Sequence, residues 1–140
     1  MTRTILASLA LLLPISLYAA PPHVFRTITA RTSTTLTGTL HYQRGETVIV
    51  GRVVMRTTAE GDFVFRFTNA ANATLLELRQ DNSYAVIEGK LIGGGWEGPT
   101  SSTPSKLRGW LSLSRLFVNQ VQSFGRTTTV GDEKFEFRFP

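Results

Sequence analysis

The chain contains no cysteine. That absence excludes disulfides, thiolate metal centres and a lipid-modified export signal, which needs a cysteine at its cleavage point. Histidine is nearly as scarce: His23 and His41 are the only two, and neither has a carboxylate pair beside it at ligand spacing. No metal or other cofactor is expected on that inventory. The serines form no Gly-x-Ser-x-Gly elbow. Gly93-Gly94-Gly95 is followed by Trp96, Glu97 and Pro99, whereas a phosphate loop feeds a helix with a placed lysine. Glu77 and Glu88 read as solvent-facing strand residues paired with arginines such as Arg66 or Arg79, not as an acid/base pair. Charged residues make up 18% of the chain and the arginines are scattered, which excludes the basic, aromatic-interleaved stripe of a nucleic-acid binder. The sum is a non-enzymatic protein with no catalytic residue to nominate.

Long apolar runs are equally rare. The one present, Ile5 to Leu17, follows Arg3 and precedes the small residues Ala19 and Ala20 and then Pro21. It is too short for a membrane helix of about 20 residues and has the parts of a cleaved secretory signal over 1–20. Residues 21–140 are then 120 residues, expected to form a single β-rich domain. An exported chain free of disulfides fits a bacterial periplasm. Loss of Arg3 reduces the formal charge from +5 to +4, enough to favour peripheral contact with anionic lipid headgroups but too dispersed to specify it.

What the chain does have is aromatic alternation. Phe63, Phe65 and Phe67 recur every second residue after Gly61-Asp62, and Phe135, Phe137 and Phe139 repeat the device at the end with Lys134, Glu136 and Arg138 between them. Period two places each trio on one face of a strand, the signature of an antiparallel sheet with one apolar side. Between them, Val24 to Gln43 predicts two strands or one long bent strand, with Leu36, Gly38, Leu40 and Tyr42 on one parity. Thr47 to Thr57 and Thr74 to Arg79 predict further strands, the latter with Leu76 and Leu78 on one face, and Tyr84 to Leu91 another. Gly38, Gly51 and Gly89 mark bends. Gly93 to Ser105 predicts a loop or short edge strand, and Ser123 to Asp132 a polar connection. Leu113, Leu116, Phe117 and Val121 recur at three- and four-residue spacing, which predicts one short helix over Leu113 to Val121 with Ser112 or Ser114 as N-cap. The expected fold is mainly β: a curved antiparallel sheet, a half-barrel-like meander, with one short helix covering the apolar face.

The order of long meander, Gly-rich loop, short helix and final strand resembles the half-barrel of the periplasmic and outer-membrane lipoprotein carriers. The stretches that carry the resemblance are Gly61-Asp62-Phe63-Val64-Phe65-Arg66-Phe67, Leu75-Leu76-Glu77-Leu78 and Leu107-Arg108-Gly109-Trp110-Leu111, and with the intervening sheet they span Leu36 to Leu116. The resemblance implies an apolar cavity that takes the acyl chains of a lipoprotein or another lipid, with no enzyme activity. The mature chain departs from that family in lacking an evident N-terminal helix and an anchoring cysteine. The apolar groove is expected to be lined by Phe63, Phe65, Phe67, Leu76, Leu78, Trp110, Leu113, Leu116 and Phe117. Two alternatives stand beside it. One is a small outer-membrane β-barrel, suggested by the alternating C-terminal aromatics but opposed by Arg52, Arg56, Arg66, Glu77, Arg79 and Glu88 in mid-strand. The other is a structural or protein-binding module that uses an exposed sheet edge.

Overall fold

The computed structural model describes residues 23–117 and 125–140. The expected export signal, and the expected helical residues beyond Phe117, lie outside them. Eight strands form one antiparallel sheet: β1 (Ser33–Arg44), β2 (Thr47–Thr58), β3 (Phe63–Thr68), β4 (Thr74–Gln80), β5 (Tyr84–Gly89), β6 (Gly94–Pro99), β7 (Gly125–Val130) and β8 (Glu133–Arg138). Their spatial order is β6-β5-β4-β3-β2-β1-β8-β7. The first six strands meander. The chain then leaves the sheet, makes a helical segment, and returns as a hairpin that docks β8 against β1. The sheet is curved and not closed, with β6 and β7 as its edges.

Alternation explains which face is which. In β3 the three Phe side chains are fully buried while Arg66 is exposed, and in β8 Phe135 and Phe137 are fully buried while Lys134 and Arg138 are exposed. Leu40 and Tyr42 of β1, Val53 and Met55 of β2, Leu76 and Leu78 of β4 and Ala85 and Ile87 of β5 join them on the concave side. Each large apolar side chain so buried contributes about 1.5–3 kcal/mol before conformational entropy is subtracted. Opposite rows carry Arg52, Arg56, Arg66, Glu77, Arg79 and Glu88.

Curvature needs the glycines on the inner row. A Cβ on Gly51 would stand 2.2 Å from the Thr68 carbonyl oxygen and 2.6 Å from the Phe67 ring, and one on Gly38 would stand 2.4 Å from the Arg138 carbonyl oxygen and 2.6 Å from the Phe139 ring. In each case the aromatic ring of the neighbouring region lies over the missing side chain, so two strands approach where any larger residue would force them apart. The bends expected at these two positions thus accompany one continuous 12-residue β1 and a 12-residue β2.

The helical cover starts earlier than its spacing predicts. A 3-10 turn at Ser105–Leu107 leads into α1 (Arg108–Ser112), followed by α2 (Ser114–Phe117). No serine caps it: the residue before α1 is Leu107, with no side-chain cap, and Ser112 Oγ donates back to the Gly109 carbonyl oxygen at 2.7 Å. Burial of Leu107, Trp110 and Leu111 selects this start, because tertiary packing outweighs capping in so short a helix. The Gly-rich stretch supplies the short edge strand that was one of its two expected forms, β6 over Gly94–Pro99. The polar stretch Ser123 to Asp132, expected as a connection, instead supplies edge strand β7 over Gly125–Val130, whose side chains alternate half-buried and exposed from Arg126 to Val130. An edge strand needs no apolar face of its own, so β7 carries little hydrophobic signal; its marker is the Gly131-Asp132 turn, with Gly131 at φ +60°.

Residues 23–32 form no strand and run over the outer face. His23 stacks on Tyr84 with centroids 4.4 Å apart, and its Nε2 lies 2.7 Å from Asp81 Oδ2. The Arg79 guanidinium sits 4.9 Å from the Phe25 ring centroid and donates to the Arg26 carbonyl oxygen at 3.2 Å. His23, near the start of the expected mature chain, is therefore docked on the sheet.

Candidate functional site

The concave face and its cover enclose one aromatic cluster. Phe63, Phe65, Phe67, Leu76, Leu78, Trp110, Leu113 and Phe117 are each no more than 2% exposed, and Leu116 is partly buried against them. All nine residues expected to line an apolar groove are thus brought together by β3, β4 and the cover. They fill the space themselves. Trp110, at the centre, has its ring 4.7 Å from Tyr42, 4.9 Å from Phe135 and 6.2 Å from Phe65, centroid to centroid. Phe117 meets Phe137 edge-on at 5.1 Å. These offset and edge-on arrangements add about 0.5–1.5 kcal/mol per pair beyond area burial. The interior is a closed core in this state.

Among the described residues, few polar contacts fasten the cover. Gln80 Nε2 of β4 donates to the Leu111 carbonyl oxygen at 3.1 Å. On the other side, Arg126 of β7 donates to the Leu116 carbonyl oxygen and lies over the Phe117 ring at 5.3 Å. Close approach also requires a glycine: a Cβ on Gly109 would stand 2.6 Å from Glu133 Oε1 and 3.1 Å from the Phe135 ring.

Under that glycine lies a buried polar pair. The Tyr42 hydroxyl donates to Glu133 Oε2, and both residues are nearly inaccessible, 6% and 5% exposed. Burial pushes the Glu133 carboxyl above the ordinary carboxylate range, against the hydrogen bond from Tyr42 and the charge of Arg44, which pull it down. The Tyr42 hydroxyl is raised in turn by burial, by its hydrogen bond to Glu133 and by that carboxylate's charge. The pair was missed as a site by sequence, yet its signal was the period-two parity: Tyr42 shares the row of Leu40, and Glu133 the row of Phe135 and Phe137.

At one end of the cover is a polar cavity of about 600 Å³ between the β4–β5 turn and the outer side of α1 and α2. Gln80, Asp81 and Asn82 line it from the sheet, Ser101 from the turn after β6, and Arg108 and Arg115 from the cover. Burial pushes the Asp81 carboxyl up, but hydrogen bonds from the Ser83 amide, His23, the Tyr84 amide and the Ser83 hydroxyl outweigh it and hold the group below its usual range. None of these cavity residues was proposed from sequence as a site, where Arg108 and Arg115 are two of the scattered arginines. Elsewhere, Glu77 and Glu88 face each other across β4 and β5 on the outer side, and Arg66 Nη2 lies 2.9 Å from Glu77 Oε1. Among the described residues, no three His, Asp or Glu converge as a metal site. No protein-family model matches the chain, and no curated protein matches it.

Proposed function

We propose that this chain is an exported, non-enzymatic lipid- or lipoprotein-binding protein, in which an acyl chain enters between the curved sheet and the helical cover as the cover moves outward. The observation that carries the reading is the make-up of that interface. An unclosed sheet presents a continuous aromatic face, and its roof is two short helices joined to the sheet largely by apolar side chains, with the Gln80 and Arg126 bonds at its two flanks. Apolar contacts between sheet and roof can be exchanged for contacts with a hydrocarbon tail at little net change in buried area. The closed core is then the ligand-free arrangement. The resemblance to the lipoprotein carriers supports the same reading, as does a net charge suited to anionic headgroups.

A second reading, a protein-binding β module, is supported by the two open edges at β6 and β7, where a partner strand can add its backbone hydrogen bonds. The membrane-barrel reading draws no such support, since the outer face carries the charged row and the apolar row faces inward.

The deciding experiment is native mass spectrometry of freshly purified protein together with titration of a fluorescent fatty acid. Binding should stabilise the fold by about 2.7 kcal/mol at a hundredfold excess over the dissociation constant. A spectrum free of lipid, combined with a melting temperature that acyl ligands leave unmoved, would overturn the lipid reading in favour of the protein-binding module.

A further inference from the structure

The outer face of the sheet breaks the rule that its inner face obeys. A one-sided antiparallel sheet turns apolar residues in and polar ones out. Three of the four large apolar residues exposed among the described ones nevertheless share the outer row of β2: Val48 at 56%, Val50 at 48% and Val54 at 39%. Strand propensity does not require them. The adjacent outer row of β1 holds Thr35, Thr37 and Thr39, which supply the same β-branching together with a hydroxyl. A single exposed valine needs no explanation, whereas a row of them on one strand marks a contact surface.

Strand pairing supplies the second, independent feature. Arg52 and Arg56 lie in the valine row itself, and Arg66 stands opposite Val54 across β2 and β3. From β8, Lys134 pairs with Gln43, which pairs with Val48, and Arg138 pairs with Thr39, which pairs with Arg52. Cations dispersed along the sequence are thereby gathered on one face. On β8, β1, β2 and β3 that face carries these five cations against one carboxylate, Glu136, which Arg138 holds at 2.7 Å. Arg66 is bound to Glu77 of β4 at 2.9 Å, but Arg52 and Lys134 have no acidic partner among the described residues. β2 and β3 are the middle pair of the eight-strand order, so the valine row lies at the crest of the convex side, the part of the sheet that meets a flat surface first.

We infer that the outer face of β2, with its neighbours β1, β3 and β8, is a docking surface for an anionic lipid bilayer. Val48, Val50 and Val54 enter the headgroup boundary, and the cations beside them meet lipid phosphates. Each Lys or Arg held at such a surface strengthens binding about fivefold, and shallow aliphatic burial adds to it. Nucleic acid is the other polyanion that suits the charge, but the outer rows of these four strands contain no Phe, Tyr or Trp on which a base can stack. The surface lies on the opposite side of the sheet from the helical cover, so it does not rest on acyl entry beneath that cover.

The test is flotation of the exported chain at low salt with vesicles of phosphatidylcholine alone or mixed with phosphatidylglycerol. Binding should require phosphatidylglycerol and fall steeply with added salt. Arg52→Ser/Lys134→Ser should weaken it by about tenfold or more, while Arg108→Ser/Arg115→Ser, which removes the same charge from the cover side, should change it by less than about twofold. Val48→Thr/Val50→Thr keeps the charge and the β-branching, is checked for folding by its melting temperature, and should weaken binding by about threefold or more. The surface is overturned if phosphatidylglycerol makes no difference, or if the two charge variants weaken binding equally, which would mean net charge alone. Full binding by the valine variant overturns the bilayer as the partner. Tighter binding of a single-stranded oligonucleotide, disturbed only by Arg52→Ser/Lys134→Ser, would assign the face to nucleic acid instead. Protein that floats through these residues yet takes up no fatty acid keeps this surface and loses the acyl-binding reading.

Discussion

At the scale of single residues, the most consequential pair is Tyr42 and Glu133, because it puts a titratable carboxyl directly beneath the cover. The folded-state affinity of Glu133 for its proton is raised above the unfolded one, so the folded protein binds more protons than the unfolded chain across that interval. Stability from this group is complete below the unfolded value of about 4.3 and is lost as pH rises through the folded value. Tyr42, also raised, adds a loss of the same sign at alkaline pH, above about 10. Removing the hydroxyl with Tyr42→Phe takes away the donor that offsets burial of the Glu133 carboxylate. The variant should lose about 1–3 kcal/mol at neutral pH and less at pH 4, where the carboxyl is neutral. Urea unfolding of wild type and Tyr42→Phe at pH 4, 6 and 8 measures the gap; a gap that stays constant with pH means that Glu133 does not titrate in the folded protein. Glu133→Gln, which cannot ionise, should flatten the wild-type slope over the same range.

At the scale of elements, the strands were legible wherever one face had to be apolar. Phe63, Phe65 and Phe67, and Phe135 with Phe137, declared their strands because alternating burial writes itself into a two-residue period. The edge strands were less so: β6 was legible only as a loop or short edge strand, and β7 only as a polar connection. The glycines of β6 and the threonines of β7 need no core face, and their strand state comes from a neighbour's hydrogen bonds, which a single-strand pattern does not record. The cover lies between these cases: its apolar residues were identified, but α1 begins at Arg108 because Trp110 must reach the pocket among Tyr42, Phe65 and Phe135, a constraint set by Tyr42 and Phe65 far upstream in the chain and by Phe135 downstream. The nine expected groove residues were assembled together, whereas the polar cavity stayed hidden since it joins the β4–β5 turn to the cover. A charge placed on the cover tests its part in acyl uptake. Leu116 is only partly buried, so Leu116→Asp should leave a folded protein, destabilised by about 1–3 kcal/mol, that takes up a fluorescent fatty acid poorly. Arg66→Asp, on the outer face where Arg66 is 59% exposed beside Glu77, should cost at most about 1 kcal/mol and leave uptake intact. Equal uptake by wild type and Leu116→Asp would remove the cover from the binding route.

At the scale of the whole molecule, sheet and cover are held by different forces, and that difference predicts how the fold opens. The strands of the central sheet are tied to one another by continuous ladders: β1 pairs with β2 over twelve residues and with β8 over six. Opening there breaks backbone hydrogen bonds and exposes Phe rings on a face shared with every neighbour, so it approaches global unfolding. Among the described residues, the cover has no ladder to the sheet. Lifting α1 and α2 breaks the Gln80 and Arg126 contacts and exposes Trp110 and its partners, while the sheet keeps its own hydrogen bonds. Two levels of opening follow, a lower one for the cover and a higher one for β1, β2, β3 and β8. Native-state hydrogen exchange across a low-denaturant series should therefore show amides of 108–117 exchanging through a sub-global opening several kcal/mol below the central strands. A bound fatty acid should move the two classes together: it adds apolar contacts to both surfaces, and every opening that releases the cover must then also release the ligand. If the cover amides exchange only through global unfolding in the free protein, the roof does not lift on its own, and an acyl chain has no route into the aromatic interior without unfolding the sheet.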